Sequence, residues 1–134
     1  PNSYSTEAKI TDSIFVAVIL IQMKRVAVPV SGGRKYFGQC DHYEIFEIDE
    51  GNVISEKAEI PPKKYAEKLP EWASEKGITD IIVYRIDKRI ITLFAPLRIN
   101  LFVGIPLNTP RNLIDDYIDG KLKSDERIIS EIMV

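Results

Sequence analysis

Apolar and polar positions along the chain alternate between two periods, and each change of period marks an element. Residues 14 to 21 (Ile-Phe-Val-Ala-Val-Ile-Leu-Ile) are apolar without a break. The run is too short for the ~20 residues of a membrane helix, and its β-branched content suits a strand buried on both faces. A foreign or mis-started leader is the other reading, because Met23-Lys24-Arg25 reads as a native start. Arg25 to Val30 predicts a strand that ends at Ser31-Gly32-Gly33. Pro29 lacks a backbone donor and is expected at a sheet edge or bulge. Residues 42 to 49 predict the next strand. Asp49-Glu50-Gly51-Asn52 predicts a turn, and Val53 to Ile60 the returning hairpin arm, stopped by Pro61-Pro62.

Helical spacing then takes over at Tyr65, Leu69, Trp72 and Ala73. Proline is tolerated in the first turn of a helix, so Pro70 places the firm helix at Pro70 to Lys76, with Gly77 as its stop. Asp80 to Tyr84 predicts a short strand. Asp87 caps a helix from Lys88 to about Ala95, with Ile90, Ile91 and Phe94 facing inward and Pro96 ending it. Ile99 to Val103 predicts a strand closed by Gly104. Thr109-Pro110 opens a helix from Pro110 to Asp119, ended by Gly120. Ser124 is expected to cap a last helix carrying Ile128, Ile129 and Ile132 on one side. A hairpin followed by strand, helix, strand and helix implies crossover connections. The expected fold class is α/β: a mixed sheet of about five strands, with an N-terminal extra strand if residues 14 to 21 join it.

Composition narrows the class. The chain has 134 residues, 45% of them hydrophobic, which suits one globular domain. With 18 basic and 20 acidic residues the net charge is −2, so no basic excess favours nucleic acid. A single cysteine cannot form an internal disulfide, and a reducing, cytoplasmic setting follows as an expectation. The division expected is an N-terminal extension over 1–22, an α/β domain over 23–123 and a C-terminal helix over 124–134.

Candidate chemistry gathers in one stretch. Cys40 and His42 are the only cysteine and histidine, two residues apart, and in a strand both side chains leave on one face. Thiolate beside imidazole suits iron, zinc or copper, but a closed zinc site needs four ligands. One chain supplies part of a site, and a homodimer or a cluster's inorganic core would supply the rest. The plainer alternative is a half-buried thiol and an exposed histidine. Tyr36-Phe37-Gly38 reads as a flap over a ligand or as an apolar plug. Ser31-Gly32-Gly33 lacks the third glycine and following helix of a dinucleotide fingerprint. Arg85, Lys88 and Arg89 stand near one helix start, as an anion-attracting group or as ordinary surface charges. Trp72 reads as core or as an interface anchor. No nucleophile–base set assembles, and the Arg25 to Val30 strand holds no acid for a two-metal nuclease, so an enzyme is not expected.

Several pieces in this order resemble the dinitrogenase iron-molybdenum cofactor biosynthesis family. They are Val26-Ala-Val-Pro-Val, Phe37-Gly38-x-Cys40, Tyr43 to Ile48 ending in Asp49-Glu50-Gly51, and Leu69-Pro70-Glu71-Trp72. Lys76-Gly77-Ile78-Thr79-Asp80, Arg89 with Leu93-Phe94, Ile99 to Gly104, and Tyr117-Ile118-x-Gly120-x-Leu122 complete the set. The resemblance covers about Met23 to Lys123. It implies a ribonuclease-H-like fold and binding of an iron-sulfur or iron-molybdenum cluster. By that resemblance Tyr36, Phe37, Gly38, Cys40, His42 and Arg89 form the cofactor site, with Cys40 and His42 as metal ligands and Arg89 as charge partner. Two positions depart from the family pattern. Tyr36 stands where the family has histidine, and Tyr84-Arg85-Ile86-Asp87 replaces a glycine-rich turn. These departures support an alternative: a non-catalytic structural or regulatory module that has lost the cluster.

Overall fold

The computed structural model describes residues 23–30, 42–62 and 66–134. The apolar run 14–21, Ser31-Gly32-Gly33, Tyr36, Phe37, Gly38, Cys40 and Tyr65 lie outside the described residues. Among the described residues five strands are seen: β1 (Met23–Val30), β2 (His42–Asp49), β3 (Asn52–Glu59), β4 (Asp80–Ile82) and β5 (Asn100–Phe102). Four helices accompany them: α1 (Leu69–Glu75), α2 (Lys88–Phe94), α3 (Pro110–Ile118) and α4 (Glu126–Met133). They form one mixed sheet in the order β3-β2-β1-β4-β5. β1 pairs antiparallel with β2, and β2 antiparallel with β3, while β1–β4 and β4–β5 are parallel. The α/β class and the crossovers expected from the element order are therefore present. No helix among the described residues is long and apolar enough to cross a membrane.

Helices cover both faces. On one, Ala27, Tyr43, Ile45, Ile81 and Val83 pack with Leu69 and Ala73 of α1 and Ile90 and Phe94 of α2, and α4 adds Ile128, Ile129 and Ile132. On the other, Val26, Val28, Phe46, Ile48 and Ile82 pack with Leu113 and Ile114 of α3. β1 lies between both layers, which is why its sequence reads apolar without alternation. Trp72 is half-buried, its ring 5.7 Å from that of Tyr43 and inclined at 42°.

Pro29 corrects one expectation, because β1 is the central strand and not an edge. The Arg25 amide donates to Thr79 Oγ1 at 3.0 Å, and its carbonyl accepts from Thr79 N at 2.9 Å, so both groups point toward β4. Alternation turns the Pro29 nitrogen the same way. The β1–β4 pairing extends only over Val26↔Asp80 and Ala27↔Ile81. β4 has diverged before the missing donor would be needed.

The helix ends follow local chemistry. Asp87 accepts from Arg89 N at 2.8 Å and Thr109 from Asn112 N at 3.2 Å, both as expected. α1 closes with Gly77 N on Ser74 O and Ile78 N on Ala73 O, each 3.0 Å, a paired C-terminal lock. The last helix departs from expectation. Asp125 is its cap, accepting from Arg127 N at 2.9 Å. Ser124 instead accepts from Val103 N at 3.0 Å, and Asp125 N donates to Val103 O at 2.8 Å. The sheet edge needs a partner there, and Ser124 supplies it.

A buried carboxylate ties β4 to β5 at the amino ends of the parallel strands. Asp80, 2% exposed, accepts from Thr79 Oγ1 at 2.6 Å and from Asn100 Nδ2 at 3.4 Å, and the Tyr117 phenol of α3 lines the same cleft. Burial pushes the Tyr117 hydroxyl well above its ordinary range, and the charge of Asp80 pushes the same way. A phenol whose folded pKa is raised contributes stability that is complete below its unfolded value, about pH 10. That stability is lost as pH rises from there through the folded value. Tyr117→Phe is expected to lower stability at neutral pH but to flatten its fall above about pH 10. Urea midpoints measured across that window check this; parallel pH profiles for the two proteins would count against it.

Candidate functional site

Open sheets of this kind offer a crevice outside the carboxyl ends of the strands, where neighbouring strands leave toward opposite sides. β1 and β4 are such neighbours. β1 ends at Val30 and its chain returns as β2, while β4 continues through Tyr84–Asp87 into α2 and then β5. The register Val30↔His42 places His42 at this end of the sheet.

His42 opens β2, as expected from the residues, and it does not stand alone. Its Nε2 lies 3.1 Å from Glu44 Oε1. Side chains two apart on a strand share a face, and both are largely covered, at 29% and 21% side-chain exposure. A metal-binding imidazole commonly carries a carboxylate on its other ring nitrogen, which fixes the ring and raises its basicity. With Nε2 on Glu44, Nδ1 is the nitrogen available to a ligand. Glu44 was absent from the residues singled out in the sequence, although the His-x-Glu spacing within a strand is a legible signal.

The basic trio near α2 is not drawn together. Arg85 pairs with Glu131 of α4, and its guanidinium carbon sits 5.6 Å from the Tyr84 ring centroid. Arg89 is turned onto the cap of its own helix, with Nε 3.3 Å from Asp87 Oδ1. The backbone hydrogen bond from Arg89, then its side chain, hold the Asp87 carboxyl below its usual range; Asp87 in turn raises Arg89. The Asp87 cap occupies the Arg89 amide, as its place at the helix start implied. Between the carboxyl ends, Pro29, Val83, Tyr84, Pro106, Leu107 and Leu113 line a crevice of about 10 Å³. Cys40 and the Tyr36-Phe37-Gly38 segment lie outside the described residues. Among the described residues no group of three or more His, Cys, Asp or Glu side chains could hold a metal ion.

No protein-family model matches the chain, and no curated protein matches it significantly. Solved structures do. The crystal structure of the protein PH0822 superposes with a TM-score of 0.68 at 26% identity, over 75% of this chain and 94% of that one. A Methanocaldococcus jannaschii protein, MJ0327, provisionally described as a dinitrogenase, gives 0.61 at 20% identity over 78% and 95%. The apo form of the orange protein from Desulfovibrio gigas gives 0.61 at 12% identity over 77% and 93%. The chain shares the fold of these small proteins. Each is covered over nearly its whole length.

Proposed function

We propose that this is a small, non-catalytic cytoplasmic binding protein that holds an iron-sulfur or iron-molybdenum cluster, or a related anionic metallocluster, at the carboxyl end of its sheet. The observation that carries the reading is the His42–Glu44 pair beside the carboxyl end of β1: an imidazole braced by a carboxylate, two residues after the only thiol in the sequence. The likeness to a protein provisionally described as a dinitrogenase and to the apo orange protein supports the same reading. The order β3-β2-β1-β4-β5 with β2 reversed supports the ribonuclease-H-like form of the fold.

In this proposal Cys40 and His42 hold the metal, Glu44 orients His42, and Tyr36, Phe37, Gly38 and Arg89 flank the site. When bound, the cluster supplies soft-metal and redox chemistry. The protein supplies a thiolate and an imidazole. One chain offers too few donors to close a site, so the inorganic core or a second copy completes it.

Anaerobic reconstitution with iron and sulfide tests the proposal. Wild type should develop visible charge-transfer absorption, Cys40→Ala should lose it, and Glu44→Gln should bind iron about 10-fold more weakly or worse. A colourless wild type, or equal absorption in Cys40→Ala, would overturn the reading. A second reading is favoured by the internal engagement of Arg85 and Arg89 and by the narrowness of the crevice. It makes the chain an interaction module without a cluster. Oligomeric mass before and after removal of residues 1–22 separates the two, since that module would depend on the apolar run 14–21.

A further inference from the structure

At the far end of the sheet, away from His42, the amino ends of the parallel strands border an open cleft of about 570 Å³, a size typical of small-molecule sites. Its apolar walls are Ile48, Phe102 and Ile118. Asp80, nearly sealed from solvent, lines it together with Asn100 and Tyr117. A carboxylate has about four acceptor positions. Thr79 and Asn100 use two of them, which leaves room for a further donor. The last turn of α3 borders the same cleft through Tyr117 and Ile118, and a helix C-terminus carries partial negative charge.

The two remaining polar residues of the cleft are of opposite charge. Lys24 of β1 and Glu50 of the β2–β3 turn both line it, and among the described residues neither is in an ion pair. Glu50 also stands in an uncomfortable place. It has φ 50° and is followed by Gly51 at φ 80° in a two-residue hairpin turn. Such turns favour Asn, Asp or Gly at the first of these positions. A glutamate held there is locally strained, and strain of this kind clusters at ligand sites.

We propose that this cleft binds a small zwitterion with an apolar side chain, of the size and charge pattern of an α-amino acid. The ammonium group is taken by Glu50 and the free acceptor position of Asp80, the carboxylate by Lys24, and the side chain by Ile48, Phe102 and Ile118. The two negative groups and the helix end outweigh the single amine, so the ammonium is the group the cleft recognises most strongly.

Calorimetric titration with L-phenylalanine and L-leucine tests this, alongside N-acetyl-L-phenylalanine, which lacks the ammonium, and L-phenylalanine amide, which lacks the carboxylate. At least one free amino acid should bind, and both derivatives should bind at least tenfold more weakly. Lys24→Met and Glu50→Asn should each weaken binding about tenfold, or about 1.4 kcal/mol. Glu50→Asn should at the same time raise the thermal midpoint by relieving the turn, an outcome a purely structural role for Glu50 would not pair with lost binding. Cys40→Ala should bind the amino acid as wild type does, so failure here is distinguishable from failure of the cluster proposal. No binding at millimolar concentration, equal binding of the blocked derivatives, or undiminished binding by Lys24→Met would overturn it.

Discussion

Phe46→Ala is expected to destabilise the protein by about 3–5 kcal/mol, the largest loss of any single truncation considered. Phe46 is 0% exposed at the middle of β2 and packs within the layer of Val26, Val28, Ile48, Ile82, Ile105, Leu113 and Ile114. Among the described residues only α3 covers that layer, and its two buried side chains, Leu113 and Ile114, belong to the same cluster. β2 is itself paired on both sides, by β1 and β3, so the strand cannot move inward to fill the void. Transfer and cavity costs therefore add with little relief by collapse. Ile54→Thr, at a side chain 55% exposed on the edge strand β3, should change stability by only about 0.5 kcal/mol. Urea unfolding of the three proteins tests the contrast. A midpoint for Phe46→Ala no lower than that of Ile54→Thr would show that this face is not packed as described.

Gly104→Ala should cost about 2–5 kcal/mol, the sum of a left-handed backbone penalty and overpacking. Gly104 has φ +81°, and an added Cβ would lie 2.6 Å from Asp125 Cβ, 3.1 Å from Ile128 Cβ and 3.2 Å from Asp125 N. Those atoms belong to the junction that holds α4 to the sheet edge, where Val103 bonds both Ser124 and Asp125. The clash is with backbone and Cβ atoms, which cannot rotate away. Relief requires α4 to lift, taking Ile128, Ile129 and Ile132 from the core and parting Glu131 from Arg85. Hydrogen exchange should accelerate over 124–134 and at Arg85, and less over β1 and β2. Gly120→Ala is the control: φ is +71° but nothing lies within 4 Å, so only the backbone term of about 1–2 kcal/mol remains. Equal effects of the two substitutions would sink the packing argument.

Much of the fold was legible because its signals are local. Thr109-Pro110, Asp87, Gly77 and Gly120 each act on amides or carbonyls within a turn of themselves, and each stands where the pattern placed it. The hairpin at Asp49–Asn52 was equally readable, since two residues between alternating strands leave few other geometries. His42 opens β2 where the pattern places the start of that strand. Glu44 is legible only through the two-residue strand period, which places its carboxylate beside the His42 ring.

Other features depend on pairs distant in sequence. Pro29 looked like an edge residue because a missing donor is a local fact, whereas the strand that fails to need that donor is β4. Ser124 and Asp125 are both good caps; β5 decided between them by requiring an acceptor at Val103 N. The charge near α2 read as a group of three cations, but Glu131 and Asp87 divide it.

By itself the sequence determined the α/β class and the order and ends of most elements, because propensity, capping and turn chemistry act over a few residues. Tertiary structure alone decided the strand order, the joining of Asp80 to Asn100 beside Tyr117, and the meeting of Lys24 and Glu50 around one cleft. Those contacts arise from the pairing of β4 with β5 and of β1 with β2, and from the packing of α3 on the sheet, and no period along the chain records which side chains these bring face to face.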